Sequence, residues 1–189
     1  AGIVHLHTLD IPSDNAEHGV RYEPTNPEWF RDLVDWLPID YEDFVFVDFG
    51  AGKGRALVLA SEFPFRKLVG VEFSPELAEV ARRNVTAFRS DRQQCDDFEV
   101  VCMDAVEYDL PDAPCVLYFY NPFSERVLRR VLASIRGSVA QSPRPIYVVV
   151  TGDAPLHALV EEGFTSLARA GEPESHALRG RRVFVPVTA

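Results

Sequence analysis

Residues 47–55 read Val-Asp-Phe-Gly-Ala-Gly-Lys-Gly-Arg, a glycine-rich stretch that follows the apolar run Phe44–Val47. A short apolar run before a glycine loop is typical of a buried parallel strand. From Gly54 to about Phe63 the composition favours a helix. Glycines at such a turn let the backbone approach a ligand that side chains would exclude. The stretch therefore predicts a strand, a ligand-binding loop and a helix in succession.

The same alternation of apolar runs and helical segments continues on both sides of this loop. Asn26-Pro27-Glu28 has the residue types of a helix start, and Pro38 ends that helix. Six further strands are predicted at Lys67–Phe73, Phe98–Met103, Cys115–Tyr120, Pro145–Val150, Phe164–Ala168 and Arg182–Val187. Helices are predicted at Ser74–Phe88, Ser124–Val139 and Pro155–Glu162. The pattern indicates an α/β fold with a doubly wound, Rossmann-like, mostly parallel seven-stranded sheet. The last two strands are expected to pair antiparallel at one edge.

The length of 189 residues fits one domain with a sizeable core. We expect a single domain over residues 1–189, divided into an N-terminal arm and helix at 1–38 and a Rossmann-like core at 39–189. No stretch approaches the roughly 20 apolar residues of a membrane-spanning helix. Three cysteines without CxxC spacing favour free thiols in a reducing compartment such as the cytoplasm, and no metal site is expected.

The spacing of the glycines bears on which cofactor the loop binds. A dinucleotide fingerprint has the form GxGxxG/A, and its third small residue would fall on Arg55. The chain instead has GxGxG, with Asp48 two residues before the first glycine. Glu72 lies 22 residues beyond Gly50, where an acid can accept both hydroxyls of a ribose. A nicotinamide-dependent oxidoreductase therefore remains an alternative, although a disfavoured one.

The stretch Asp48-Phe49-Gly50-Ala51-Gly52-Lys53-Gly54 resembles motif I of class I S-adenosylmethionine-dependent methyltransferases. The resemblance implies that this loop wraps the methionine end of S-adenosylmethionine and that Asp48 contacts its amino group. It also implies that Glu72 binds the ribose and that Phe73 packs on the adenine. Asp104-Ala105, after the third strand, corresponds to the position of an acid that accepts from the adenine amino group. Asp104 is equally suited to cap a helix.

Tyr120-Asn121-Pro122-Phe123 resembles motif IV, in which amino-methylating enzymes carry Asn or Asp followed by Pro-Pro and an aromatic residue. The chain has one proline here, so the match is incomplete. A methyl-accepting amine needs acceptors that orient its lone pair, and an amide oxygen with a backbone carbonyl can supply them. The resemblance therefore implies that Tyr120, Asn121 and Pro122 are catalytic and that Asn121 also contacts the cofactor, although it acts more on the acceptor. The alternative is an ordinary strand-to-helix turn.

Tyr22-Glu23-Pro24-Thr25 is similar to a Tyr-x-Pro-Thr segment of small lysine methyltransferases, including Dot1-like proteins. This similarity implies that the arm closes over the cofactor and that Tyr22 or Thr25 binds the methionine carboxylate. A plain extended X-Pro linker would read the same way.

The acidic charge is concentrated at the start of the chain. Of the net charge of -10, residues 1–50 carry -9, from eleven acids against Arg21 and Arg31. Acidity disfavours nucleic acid and favours a cationic acceptor, because like charges repel. We therefore expect methylation of an amine nitrogen on a basic protein, as on lysine, or on a small amine. A non-catalytic protein that only binds S-adenosylmethionine is the alternative from another class. Nothing in the sequence indicates the oligomeric state.

Overall fold

The computed structural model describes residues 25–121, 123–152, 154–167 and 182–186. Seven strands form one sheet: β1 (Val45–Phe49), β2 (Lys67–Glu72), β3 (Phe98–Cys102), β4 (Cys115–Tyr120), β5 (Ile146–Thr151), β6 (Phe164–Leu167) and β7 (Arg182–Pro186). Five helices accompany them: α1 (Pro27–Asp35), α2 (Arg55–Ala60), α3 (Pro75–Ala87), α4 (Glu125–Gln141) and α5 (Leu156–Glu161). Every predicted strand and helix is therefore present, with ends that differ by a few residues.

The order of strands in the sheet is β3-β2-β1-β4-β5-β7-β6. The first five of these strands in the sheet are parallel, and β7 is antiparallel to both β5 and β6. The predicted α/β class, the mostly parallel seven-stranded sheet and the antiparallel pair at one edge are thus confirmed. The reversed strand, β7, lies one position in from the edge. The chain turns back at β1 and β4, which places a crevice at their carboxyl ends.

Apolar side chains cover both faces of the sheet. On one face, α1 and α2 pack against residues such as Phe46 and Tyr118, and the ring of Phe30 lies 5.2 Å from that of Tyr118. On the other face, α4 and α5 cover a cluster in which the ring of Phe49 stacks on that of Phe119 at 5.0 Å. β1 and β4 are buried on both faces, as expected of strands in the middle of a doubly wound sheet.

The sequence signals for helix ends are visible in the structure. The Asn26 side chain accepts hydrogen bonds from the backbone N–H groups of Glu28 and Trp29, which caps α1 as predicted. Ser74 caps α3 by accepting from the backbone of Leu77. These bonds satisfy amide groups that a helix leaves without internal partners at its first turn. In the described segments, no helix is both long and apolar enough to cross a bilayer.

Candidate active site

The glycine loop between β1 and α2 has the backbone geometry that its sequence predicts. Gly50, Gly52 and Gly54 have φ angles of 82°, 55° and 79°, in the left-handed region that other residues rarely adopt. The N–H groups of Gly50 and Ala51 both donate to the carbonyl of Val71 on β2, at 2.9 and 3.1 Å. The loop is therefore held against the end of β2 by its own backbone.

A glycine on β2 allows the loop to lie this close. A Cβ atom at Gly70 would stand 2.8 Å from a methyl of Leu57 and 2.9 Å from Cβ of Ala51. Leu57 belongs to α2 and Ala51 to the loop, so both pack directly on the β2 backbone at this position. Ala51, predicted to bind cofactor, is itself buried. It forms the floor of the loop through this contact.

Glu72 ties the loop to the end of β2. One carboxylate oxygen accepts from the N–H of Gly52 at 2.8 Å, and the other accepts from the N–H of Ser74 at 2.9 Å. Burial raises the pKa of Glu72, and the backbone N–H groups of Ser74 and Gly52 act in the opposite direction. A carboxylate has about four lone-pair sites, so each oxygen retains acceptor capacity for a ligand hydroxyl.

Asp48 lies beside Glu72 at the end of β1 and is almost completely buried. Burial raises the pKa of Asp48 to about 8, and the negative charge of Glu72 adds to the increase. Among the described residues, no hydrogen bond to the Asp48 carboxylate offsets this burial. Two neighbouring buried acids make this crevice attractive to a positively charged group.

Thr25 is the first described residue of the chain, and it is fixed on the sheet. Its carbonyl accepts from Nε of Arg55 at 2.8 Å, and its hydroxyl lies 3.5 Å from the hydroxyl of Tyr118. The Tyr118 hydroxyl is in turn 3.0 Å from that of Thr151 on β5. These contacts place Thr25 next to Arg55, which directly follows the glycine loop, and closure of the arm over a cofactor stays a prediction. Tyr22, the other predicted residue of the arm, lies outside the described residues.

The predicted adenine-side residues lie at the ends of β2 and β3. Asp104 accepts from the N–H of Val106 at 3.0 Å and so caps a 3-10 turn that begins at the buried Ala105. The capping alternative for Asp104 is therefore present in the structure. This bond engages one of the two carboxylate oxygens of Asp104. Phe73 follows Glu72 and is half-buried.

Of the predicted catalytic residues, Tyr120 is the last residue of β4 and Asn121 follows it. Tyr120 is half-buried and packs on the α1 side of the sheet. Asn121 has φ of 42°, and its N–H lies 3.4 Å from the carbonyl of Thr151. Since β4 is the neighbour of β1, Asn121 and the loop flank the same switch point of the sheet. Pro122 lies outside the described residues.

The sequence did not single out four residues that the structure brings into this region. In the sequence Arg55 indicates only a departure from the dinucleotide pattern, but in the structure its side chain donates a hydrogen bond to the carbonyl of Thr25. Tyr118 and Thr151 carry the hydroxyls beneath the arm, and Gly152 contacts Asn121. The side chains of Tyr118 and Thr151 meet through the pairing of β4 with β5, which local sequence does not reveal. For Tyr118, Thr151 and Gly152 the available signal was a position at or near the end of a predicted strand, whereas Arg55 lies at the start of a predicted helix.

Solved structures of other proteins share this fold. A putative methylase from Haemophilus influenzae is 16% identical, with a TM-score of 0.57 and coverage of 95% of this chain and 99% of that one. The glycopeptide N-methyltransferase MtfA, solved with S-adenosylmethionine, is 15% identical, with a TM-score of 0.56 and coverage of 87% and 93%. An RNA methyltransferase from Salinibacter ruber, solved with S-adenosylhomocysteine, is 19% identical, with a TM-score of 0.51 and coverage of 87% and 92%. The chain thus has the fold of these methyltransferases, and the predicted Rossmann-like sheet is confirmed.

The sequence comparison agrees with the fold. Residues 47–138 match the family described as a methyltransferase domain, and this range contains the glycine loop, Glu72, Asp104 and Asn121. A release factor glutamine methyltransferase from Vibrio cholerae is 49% identical over 45 residues, which are 23% of this chain and 16% of that protein. The chain therefore matches only a small part of the length of that relative. The particular resemblance to Dot1-like proteins stays a prediction.

Proposed function

We propose that this domain binds S-adenosylmethionine at the carboxyl ends of β1 and β2 and transfers its methyl group to an amine nitrogen. A lysine side chain of a basic protein is the favoured acceptor. The observation that carries the proposal is the buried acid pair Asp48 and Glu72 beside the glycine loop. Asp48 suits the positively charged amino group of the methionine moiety.

The same acid pair argues against the dinucleotide alternative. A pyrophosphate carries negative charge, and the buried carboxylate of Glu72, joined by that of Asp48 once the pH exceeds its raised pKa of about 8, would repel it in a medium of low polarity. S-adenosylmethionine carries positive charge on its amino group and its sulfur. Glu72 remains able to accept from ribose hydroxyls in either case, so Asp48 is the residue that discriminates between the two cofactors.

The remaining predicted residues complete the proposed pocket. Phe73 and Asp104 flank the end of the sheet where the adenine would lie, with Ala105 next to them. Thr25, held by Arg55, is close enough to the loop for the arm to cover the methionine end. Tyr22 belongs to the same arm segment and is proposed to take part with Thr25.

Methyl transfer from a sulfonium needs alignment of donor and acceptor more than covalent help from the protein. Asn121 and the backbone at Pro122 are proposed to orient the acceptor amine, with Tyr120 beside them. A lysine amine must lose its proton before it attacks, and a tyrosine or carboxylate near the entrance can accept that proton. Tyr120, Tyr22 and Glu23 are the candidates for this step by their position in the sequence.

Nitrogen acceptors occur among the similar proteins, because MtfA is a glycopeptide N-methyltransferase and the curated relative acts, by its name, on glutamine of a release factor. An RNA methyltransferase also shares the fold, so the choice of a basic protein rests on the charge of this chain. A small amine metabolite is the second candidate acceptor. A cytoplasmic location stays a prediction from the cysteine content.

The test of the cofactor assignment is titration calorimetry with S-adenosylmethionine, S-adenosylhomocysteine and NAD. We expect micromolar or tighter binding of the first two and none of NAD at millimolar concentration, since the acid pair repels the pyrophosphate. Incubation with methyl-labelled S-adenosylmethionine and cell extract then separates an enzyme from a binding protein. Tight binding of NAD would overturn the assignment, and binding without any label transfer would leave a non-catalytic protein.

The acceptor prediction concerns the exposed outer face of α1, which carries Glu28, Asp32 and Asp35. Replacing all three with their amides should weaken the inhibition of methyl transfer by polylysine peptides several-fold, because an acidic surface attracts cations. Inhibition should also weaken as salt screens these charges over about 8–10 Å. The matched control replaces Asp91, Asp96 and Asp97, which are exposed near the amino end of β3, far from the crevice. Equal effects of the two triple variants, or label found only in nucleic acid, would contradict the prediction.

A further inference from the structure

Gly152 follows β5 directly and lies against the side chain of Asn121. Its φ of 85° is in the left-handed region. A Cβ atom built at this glycine would stand 2.6 Å from Cγ and 2.7 Å from Nδ2 of Asn121, with Oδ1 closer still. Real Cβ atoms do not approach other atoms this closely, so the carboxamide of Asn121 occupies the space that any other residue at 152 would need.

The backbone holds these two residues next to each other. Tyr120 and Thr151 are paired across β4 and β5, so the residues that follow them leave the sheet side by side. Asn121 turns with a φ of 42°, and its N–H points to the carbonyl of Thr151 at 3.4 Å. Asparagine tolerates this left-handed conformation better than most residues. The position of the carboxamide is therefore fixed on one side by its own backbone and on the other by Gly152.

We propose that Gly152 is a positioning residue for methyl transfer, and that it acts by seating the Asn121 carboxamide against its bare Cα. This inference rests on the proposed role of Asn121 in orienting the acceptor amine. A methyl group at position 152 displaces the carboxamide from the crevice. Because the displaced group is the end of a short side chain, the protein folds and binds cofactor while the acceptor loses its orienting group.

The experiment compares Gly152→Ala with Gly163→Ala. Gly163 has nearly the same backbone conformation, with φ of 80°, but a Cβ there would stand 3.6 Å from Arg136, which is an ordinary contact. Both variants therefore place alanine at a similar left-handed φ, and the crowding of Asn121 is specific to Gly152→Ala. We expect a fall of at least tenfold in kcat for Gly152→Ala with cofactor Kd within twofold of wild type. Gly163→Ala should keep both values within twofold, with a similar decrease in Tm.

A double-variant cycle tests whether Gly152 acts through Asn121. Asn121→Ala alone should lower kcat at least tenfold, and adding Gly152→Ala to it should cause no further loss, because the carboxamide is already gone. Losses that multiply in the double variant would overturn the inference. So would an unchanged kcat in Gly152→Ala.

A readout that does not depend on turnover separates this inference from the proposed function. The side-chain amide resonances of Asn121, assigned by their loss in Asn121→Ala, should shift in Gly152→Ala and not in Gly163→Ala. If the wild type transfers no methyl group, the proposed function fails. These spectra still report whether the Asn121 carboxamide lies against the Cα of Gly152. Resonances that do not shift in Gly152→Ala would show that Gly152 does not hold the Asn121 carboxamide, whatever activity the variant has.

Discussion

Replacing Glu72 with alanine is expected to weaken binding of S-adenosylmethionine more than a hundredfold. Hydrogen bonds to a charged acceptor contribute about 1.5–3 kcal/mol each, and the two ribose hydroxyls of the cofactor would lose the carboxylate that accepts from them. The substitution would also remove the acceptor of the Gly52 N–H, so the glycine loop would lose its side-chain hydrogen bond to the end of β2. The measurement is titration calorimetry on purified variants, with thermal unfolding recorded in parallel.

The matched control for this change is Glu42→Ala. Glu42 is exposed in the short turn that precedes β1, at the amino end of the sheet, so the same substitution there should leave the affinity within twofold. A decrease of the free energy of unfolding is expected in Glu72→Ala, because the N–H groups of Gly52 and Ser74 lose their acceptor. If Glu72→Ala loses stability but retains cofactor affinity, Glu72 is a structural residue and does not bind the cofactor.

Replacing Asp48 with asparagine is expected to weaken the binding of the cofactor and to increase the stability of the ligand-free protein. The raised pKa of about 8 means that the folded protein keeps Asp48 protonated at pH values where the unfolded chain ionises it. The wild type therefore loses stability relative to Asp48→Asn as pH rises from about 4 towards about 8. Thermal unfolding across this range should show the difference between the two proteins growing with pH and then levelling off.

The affinity of the wild type should have the opposite pH dependence. Pairing with a cationic amino group needs ionised Asp48, and below a pKa of about 8 the ionised fraction falls about tenfold per pH unit. Cofactor affinity should therefore fall between about pH 7.5 and 6 in the wild type and stay nearly constant in Asp48→Asn. Asp43→Asn, an exposed change at the other end of β1, serves as the control. A pH dependence that persists in Asp48→Asn would contradict the assigned contact.

The sequence predicted the fold well because its signals are local. Apolar runs, the Asn26 cap and the glycine loop each depend on neighbouring residues, and each is present in the structure. The placement of β7 between β5 and β6 was not predicted, since it depends on which strand edge is free when the last segment pairs. Periodicity reports that a segment is a strand but not which neighbour it takes.

For the candidate site too, features that depend on neighbouring residues were predictable from the sequence, whereas contacts between distant residues were not. Asp48, Glu72 and Asn121 are predicted from their spacing and motif, whereas the contact between Glu72 and Gly52 joins residues that are 20 positions apart. The capping role of Asp104 was anticipated as an alternative because it needs only the next two residues. Arg55 and Gly152 were missed because their partners, Thr25 and Asn121, lie about 30 residues away along the chain.

The pairing of β4 with β5 also has a consequence for biosynthesis. The glycine loop can form once β1 and β2 have left the ribosome, but the carboxamide of Asn121 has no seat until Gly152 has been made. Parallel strands joined through helices acquire their contacts late, since each pairing must close a long loop of chain. A nascent chain that ends before β5 would thus expose the edge of β4 that pairs with β5, and Asn121 would lack its contact with Gly152. Chaperone contact with this protein is therefore expected to last until the residues of β5 have emerged.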